Sequence, residues 1–350
     1  MIFGTLDLNQ IFGAMKNKLF STLIFLLLSF FSFAQNAAME EGMKWKEKGN
    51  LVEAIKYYEK ALEVAPADLQ IAKEYANAAY QLRKYVKALP TYEMILKQEP
   101  KNIKVLTRLA KIYSYSSQKF KSVEYADRAV KLKPSDPNQQ IELGDAFYFV
   151  KHYPKAIELY KKVSPATDFT LHRIAKSYEK LSAYHSATEY YDKLIQRKKG
   201  TAKATLFYEY GNALFNNNQF KLATRAYLTA KEKGFYNSKL INENIALGFF
   251  AIKAYEPALE HYLEAKKSAP YDKNLNLDIA DCYVRMGQFK KARVIIAELQ
   301  KTNPNDGDLM YAYGMTFYKE GKTSKAETFF GKAFVLKPSL KGLRYTKSRF

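Results

Sequence analysis

The sequence predicts an all-α fold, an α-solenoid of stacked antiparallel helix pairs, and three observations support this prediction. Small residues recur about every 34 positions along the chain. A second series of Gly or Ala residues precedes the first series by twelve positions in every unit. Prolines close most of the units, and a proline prevents a helix from continuing. A fixed period of this length is typical of repeat architectures.

The small residue near the start of each second helix sets the register of the units. It is found at Ala54, Ala88, Ser122, Ala156, Ala187, Ala223, Ala258, Ala292 and Ala326. The spacings are 34, 34, 34, 31, 36, 35, 34 and 34 residues, which predicts nine units. The earlier series consists of Gly42, Ala76, Ala110, Gly144, Ala175, Gly211, Ala246, Ala280 and Gly314. Two helices of about fourteen residues pack closely where only such small residues separate their backbones.

Aromatic residues and prolines complete the pattern of each unit. We expect the bulky aromatics of the second helix to fill the core against the next unit, so that most of the tyrosines are structural. These aromatics are Tyr58, Tyr92, Tyr160, Tyr191, Tyr227, Tyr262 and Phe330. The closing prolines are Pro66, Pro100, Pro134, Pro270, Pro304 and Pro338. The fourth to sixth units lack a proline at this place, so their boundaries between Val163 and Lys203 are the least defined.

The combination of small, aromatic and proline positions resembles the tetratricopeptide repeat over about Gln35 to Leu340. Segments such as GDAFYFVKHYPKAIELYKK and PALEHYLEAKKSAP contain these positions of the family. The resemblance implies a right-handed superhelix with a concave groove that the first helices line. It also implies a non-catalytic scaffold that binds peptide or protein partners in that groove.

The register of the family assigns a set of candidate partner-binding residues to the groove. They are Lys73, Asn77, Lys104, Arg108, Lys111, Arg173, Lys176, Asp278 and Asp281. The first seven are mostly basic, which favours anionic segments, and the last two reverse the charge. Lys73 and Asn77, with Lys104 and Arg108, resemble part of the carboxylate clamp of some family members. Here the two pairs lie on adjacent units, and Arg108 replaces an expected Asn, so a generic anion-attracting groove is the alternative.

The N-terminus predicts a secretory signal peptide over residues 1–35. Lys16 and Lys18 precede an apolar run from Leu19 to Ala34, which ends in small residues suited to cleavage near Gln35. As a helix the run is about 24 Å long, less than the hydrocarbon core, so we expect no permanent transmembrane span after cleavage. An uncleaved anchor is the alternative. We expect Met15 to be the true start, and an exported protein, in the periplasm or at the periplasmic face of the outer membrane if the host is Gram-negative.

The remaining composition gives little support for chemistry. The chain has 56 Lys and Arg against 35 Asp and Glu, a net charge of +21, which favours anionic partners. It has one cysteine, Cys282, and four scattered histidines, and it contains no phosphate-binding loop, nucleophile elbow or metal-binding motif. We therefore expect no catalytic site, no metal and no cofactor, with Cys282 buried and inert.

Residues 36–340 are predicted to form the repeat array, and residues 341–350 a basic tail or a partial capping helix. The apolar last helix is expected to bind a partner or to self-associate end to end. The predicted function is an exported interaction scaffold. The kind of complex in which we expect it to act is a secretion, outer-membrane or cell-wall assembly. The alternatives are a binder of anionic polymer or nucleic acid, with nucleic acid disfavoured by the signal, and the regulatory arm of an envelope enzyme complex.

Overall fold

A computed structural model describes residues 35–343, which are helices joined by short turns and contain no strand. The chain divides into two compact units, with the boundary between Ala166 and Thr167. In each unit successive helices pack against one another as stacked hairpins, which confirms the predicted fold class. The predicted signal peptide, up to Ala34, and the tail beyond Leu343 lie outside the described residues.

Unit 1 begins with helical residues 35–47, which we name α1. It continues with α2 (Leu51–Val64), α3 (Leu69–Gln81), α4 (Tyr85–Gln98), α5 (Ile103–Ser114), α6 (Lys119–Lys131), α7 (Pro137–Phe149) and α8 (Tyr153–Lys162). Each odd-numbered helix is the first helix of a hairpin and each even-numbered helix is the second.

Unit 2 repeats the same alternation. Its helices are α9 (Asp168–Lys180), α10 (Tyr184–Arg197), α11 (Ala204–Asn216), α12 (Phe220–Glu232), α13 (Ser238–Ala251), α14 (Tyr255–Ser268), α15 (Lys273–Arg285), α16 (Phe289–Thr302), α17 (Gly307–Lys319) and α18 (Thr323–Leu336). A 3-10 helix, Pro338–Leu343, follows α18.

The seam of each hairpin explains why its small residues recur. A Cβ atom added to Gly144 would lie 2.6 Å from the Tyr160 ring, and one added to Gly211 would lie 2.5 Å from the Tyr227 ring. These rings are almost completely buried, as predicted. Each ring lies over the small residue of its own hairpin, whereas the sequence analysis assigned it to the contact with the next unit. The glycine and the aromatic ring are therefore one packing device within a single hairpin.

The ends of the helices follow from local sequence. Each of the six predicted closing prolines lies two or three residues beyond the last residue of a second helix, as at Pro100 after Gln98. The residue before a proline avoids the α conformation, which ends the helix. First helices commonly start at an Asp or Asn, such as Asp136 or Asn237, whose side chain accepts a hydrogen bond from a backbone N–H of the first turn.

Neighbouring hairpins within a unit are held in register by ion pairs on their surfaces. In unit 1, Lys87 pairs with Glu59 at 2.8 Å and Lys155 with Asp127 at 2.7 Å. In unit 2, Lys239 pairs with Asp272 at 2.7 Å. Exposed pairs of this kind contribute about 0–1 kcal/mol each, so the buried seams supply most of the stability.

The last helix, α18, is only partly covered by the residues that follow it. Val335 on α18 is 82% exposed, whereas Leu340 of the 3-10 helix packs into the core of α17 and α18. No helix within residues 35–343 has the length and apolar character needed to cross a bilayer.

Candidate functional site

In several first helices, the residue directly after the small seam residue has a polar side chain that lies beside the buried tyrosine. Tyr92 Oη donates a hydrogen bond to Asn77 Oδ1 at 3.2 Å, and Tyr160 Oη donates to Asp145 at 2.6 Å. In unit 2, Tyr227 Oη donates to Asn212 at 2.9 Å. The hairpin packing thus fixes one polar group in each of these first helices.

Arg108 is the centre of the candidate site in unit 1. Its guanidinium donates hydrogen bonds to Asn77 and, at 2.7 Å, to Tyr92 Oη. It lies 4.8 Å from the Tyr80 ring centroid and 5.8 Å from that of Tyr92. All of these partners are neutral. The partners therefore fix the orientation of the guanidinium without compensating its positive charge.

Lys104 lies one turn before Arg108 and adds a second positive charge. The two residues line a cavity of about 150 Å³ together with Lys46 and Asn77, which we name the α3–α5 cavity. Partial burial and the charge of Arg108 lower the pKa of Lys104. Within residues 35–343 neither Lys104 nor Arg108 forms an ion pair, whereas Lys46 pairs with Glu74 at 2.6 Å. The cavity has room for one anionic group or a few waters.

Two carboxylates act on this cluster: Glu74, which lines the cavity and pairs with Lys46, and Glu142 of α7, which interacts with Arg108. Burial raises the pKa of Glu142 above the ordinary range, against the opposing influence of Arg108 and of a 3.3 Å hydrogen bond from Tyr80 Oη. Burial thus favours the protonated form of Glu142 and weakens its ability to neutralise Arg108.

Lys111, the next candidate on α5, has a different environment. It is only 8% exposed, and its Nζ lies 2.5 Å from Asp145 Oδ2 in a buried ion pair. The rings of Tyr115 and Phe149 are 5.5 and 5.0 Å away. The structure therefore places Lys111 in the core, with its charge compensated by Asp145. Lys73, the remaining basic candidate of unit 1, forms an ion pair with Glu99 at 2.6 Å.

The basic candidates in unit 2 lie among carboxylates. Lys176 is 2.7 Å from Glu179 and 3.6 Å from Glu209. His172 Nε2 lies 2.6 Å from the other oxygen of Glu209. Although burial alone would raise the pKa of Glu209, its contact with His172 and the charge of Lys176 hold it below the ordinary value. Arg173 lies over the Phe169 ring at 5.1 Å.

The acidic candidates are on α15 in unit 2. Asp281 is 5% exposed and accepts a 3.1 Å hydrogen bond from Arg285. Burial raises its pKa to about 6, despite the opposing charge of Arg285. Asp278 is partly exposed one turn earlier on the same helix. Cys282 is fully buried, as predicted, and burial raises its pKa to about 12.

Three residues that shape the unit 1 site were missed by the sequence analysis. Tyr80 stacks on Arg108, Glu142 faces it, and Asp145 compensates Lys111. Asp145 directly follows Gly144, the same register position as Asn77 and Lys111, and this spacing was the available signal. Among residues 35–343, no group of three or more His, Cys, Asp or Glu side chains is arranged to hold a metal ion.

Comparison with known proteins identifies the repeat. Residues 47–113 and 251–312, which fall in unit 1 and unit 2 respectively, match the family model described as tetratricopeptide repeat. These two segments are therefore identified as tetratricopeptide repeats. The matched segments include α3, α4 and α5 except its last residue, with Asn77, Lys104 and Arg108 of the α3–α5 cavity, and α15 with Asp281.

The relatives found by sequence comparison are distant. BBSome complex member BBS4 from Bos taurus is 23% identical over 290 residues, covering 81% of this chain and 55% of the bovine protein. TPR repeat-containing protein YpiA from Bacillus subtilis (strain 168) is 20% identical over 279 residues, covering 78% of this chain and 65% of that protein. The chain thus spans about half to two thirds of the length of these relatives.

A solved structure of a tetratricopeptide repeat protein from Parabacteroides merdae ATCC 43184 is also similar. It has a TM-score of 0.48 and 15% identity, and the match covers 70% of this chain and 97% of that one.

Proposed function

We propose that this protein is a non-catalytic scaffold that binds acidic peptide or protein segments at the α3–α5 cavity. Its tetratricopeptide repeats make it a protein-interaction scaffold. The preference for acidic segments is our inference from the cavity, and it rests on one observation. Lys104 and Arg108 face the same cavity, and within residues 35–343 neither forms an ion pair. A carboxylate that enters would meet the positive charges of Lys104 and of the fixed Arg108 guanidinium, beside the Lys46–Glu74 ion pair that also lines the cavity.

We further propose that the protein is exported to the cell envelope and that its array comprises nine repeats. Export is supported by the apolar run from Leu19 to Ala34, with Lys16 and Lys18 before it. The count is supported by the nine small residues that begin the second helices. Self-association through α18 stays a prediction, supported by the exposure of Val335. The N-terminal sequence of the protein from the periplasm of a Gram-negative host tests export, and we expect it to begin at Gln35.

Binding of a short, fluorescently labelled Asp/Glu-rich peptide tests the cavity. Lys104→Glu reverses an exposed charge without removing the contacts of Arg108, so we expect about tenfold weaker binding, or about 1.4 kcal/mol. Fluorescence anisotropy at low ionic strength measures the dissociation constant, because salt screens such charges.

Lys60→Glu is the matched control, since Lys60 is an exposed lysine of unit 1 on the second helix α2. It changes the net charge by the same amount, and we expect it to bind like the wild type. Equal losses in the two variants would mean that only net charge matters. Unchanged affinity in Lys104→Glu would contradict the site, and tighter binding of duplex DNA than of peptide would favour the nucleic-acid alternative.

A further inference from the structure

Three consecutive turns of unit 1, which join the two helices of a hairpin, concentrate positive charge. They are residues 83–87, 117–121 and 151–155, and together we name them the turn edge. They contain three, two and two Lys or Arg residues respectively, and no Asp or Glu. The five equivalent turns of unit 2, at 182–186, 218–222, 253–257, 287–291 and 321–325, contain none, one, one, two and two, and the third of them includes Glu256.

Aromatic contacts show that the three turns are neighbours. The Tyr85 ring, in the first turn, stacks on Tyr115 with 5.9 Å between centroids and 8° between planes. Tyr115, just before the second turn, lies 4.9 Å from Phe149, just before the third. These rings connect successive hairpins, so the cations of the three turns form one surface.

Several of these cations are available to a partner. Lys87 and Lys155 form the ion pairs that join neighbouring second helices. Arg83, Lys84, Lys119 and Lys151 are exposed, and they form no ion pair within residues 35–343. Their charges are therefore not neutralised by the described part of the chain.

Two of these cations occupy backbone positions that favour glycine. Arg83 has a φ of 56° and Lys151 a φ of 66°. At the same place in other hairpins the chain has Gly49, Gly287 and Gly321, and also Ser182, Asn218 and Lys253, all with positive φ. A residue with a Cβ atom is disfavoured in this conformation. The backbone of these turns therefore does not require Arg83 or Lys151, and both can be replaced by glycine without strain.

Apolar side chains project between the cations. Val86 is 89% exposed and Phe120 is 69% exposed, and Phe120 lies directly between Lys119 and Lys121. Val86 and Phe120 occupy the same register position in successive second helices, and Pro154, also exposed, occupies it in the next. The edge therefore combines a row of cations with a row of exposed apolar groups.

We propose that the turn edge binds the surface of an anionic lipid bilayer. Lys and Arg are attracted to anionic headgroups, and apolar side chains beside them enter the boundary between headgroups and acyl chains. A nucleic acid would use the cations and stack on Phe120, but it would leave Val86 in water. An acidic protein surface would likewise gain little from a row of separated apolar tips. The proposal uses a surface separate from the α3–α5 cavity and does not depend on it.

Co-sedimentation with vesicles tests this proposal, and it uses the exported protein, which we propose begins at Gln35 and so lacks the apolar run from Leu19 to Ala34. We expect binding to vesicles that contain phosphatidylglycerol and little binding to phosphatidylcholine alone. The variant Arg83→Gly/Lys151→Gly removes two cations and relieves two unfavourable backbone positions. Because each cation near an anionic surface contributes about fivefold to the partition coefficient, we expect the double variant to bind about 30-fold more weakly. Its melting temperature should not fall, because glycine is favoured at both positions.

Lys253→Gly is the matched control, because Lys253 has a φ of 62° at the equivalent position of unit 2. It makes the same change of residue outside the turn edge, and we expect it to partition like the wild type. Phe120→Ser tests the apolar contribution and is expected to weaken partitioning at unchanged charge. The proposal is overturned if the wild type does not bind vesicles that contain phosphatidylglycerol. It is also overturned if Lys253→Gly lowers vesicle binding as much per residue as the double variant does. A third contrary result is that the wild type binds duplex DNA more tightly than these vesicles and the double variant weakens DNA binding equally.

Discussion

Units 1 and 2 use the same hairpin, yet they differ in the polar contacts made at the same register position. In unit 1 the position after the small seam residue holds Met43, Asn77, Lys111 and Asp145, and the last three connect to one another or to Arg108 across successive first helices. In unit 2 the series is Lys176, Asn212, Leu247, Asp281 and Met315. Two of these are apolar, so the polar contacts are interrupted. The comparison shows that the seam fixes the fold, while the residue beside it determines the local charge.

The two buried aspartates differ in the strength of their partners. Asp145 in unit 1 has a buried lysine at 2.5 Å and a tyrosine hydroxyl at 2.6 Å. Asp281 in unit 2 has one arginine at 3.1 Å, whose side chain is 38% exposed. Removing the cation therefore leaves a buried charge in unit 1, but in unit 2 it leaves a carboxylate whose pKa is already about 6.

Removing the buried lysine of unit 1 gives the largest expected effect. Lys111→Met keeps the aliphatic stem but leaves the Asp145 carboxylate without its cation, and we expect a loss of about 3 kcal/mol in the free energy of unfolding. Arg285→Met is the counterpart in unit 2, and we expect a loss of about 1 kcal/mol because its partner is more easily protonated. Urea unfolding followed by circular dichroism measures both. Equal losses would mean that the two aspartates do not differ as described.

The seams of the fold were predictable from sequence because they depend on local spacing. Gly144 and Tyr160 are sixteen residues apart in one hairpin, and both are specified by residue size alone. The helix ends were predictable for the same reason, since Pro100 and the other closing prolines act on their own backbone. The resemblance to tetratricopeptide repeats then indicated which helix faces a groove.

The site was less predictable because its contacts join different hairpins. Lys111 and Arg108 are three residues apart on α5, and the sequence assigned both to the groove. Whether each charge is compensated depends on Asp145, 34 residues beyond Lys111, and on Tyr80, 28 residues before Arg108. Spacing alone does not show which of two basic residues meets a carboxylate and which meets aromatic rings. The boundary between the two units at Ala166 was likewise not predicted, because the repeat pattern shows only an irregular spacing near it.

The pH dependence of unit 2 gives a smaller and more specific effect. Asp281 has a folded-state pKa of about 6, above its ordinary value of 3.8, so the native state holds this proton more tightly than the unfolded state does. The contribution of Asp281 to stability is therefore full below about pH 4 and is lost as the pH rises through 6. Asp281→Asn cannot ionise, so its stability relative to the wild type should rise by about 2 kcal/mol between pH 4 and pH 7.

Thermal unfolding of the wild type and both Asn variants at these two pH values checks this prediction. Asp145→Asn is the control from unit 1, and it removes the partner of a buried lysine, so we expect it to be destabilised at both values. A constant difference between Asp281→Asn and the wild type would show that Asp281 is ionised throughout and that Arg285 compensates it fully. The two aspartates would then be equally well paired, and the two units would differ only in the solvent exposure of the paired cation.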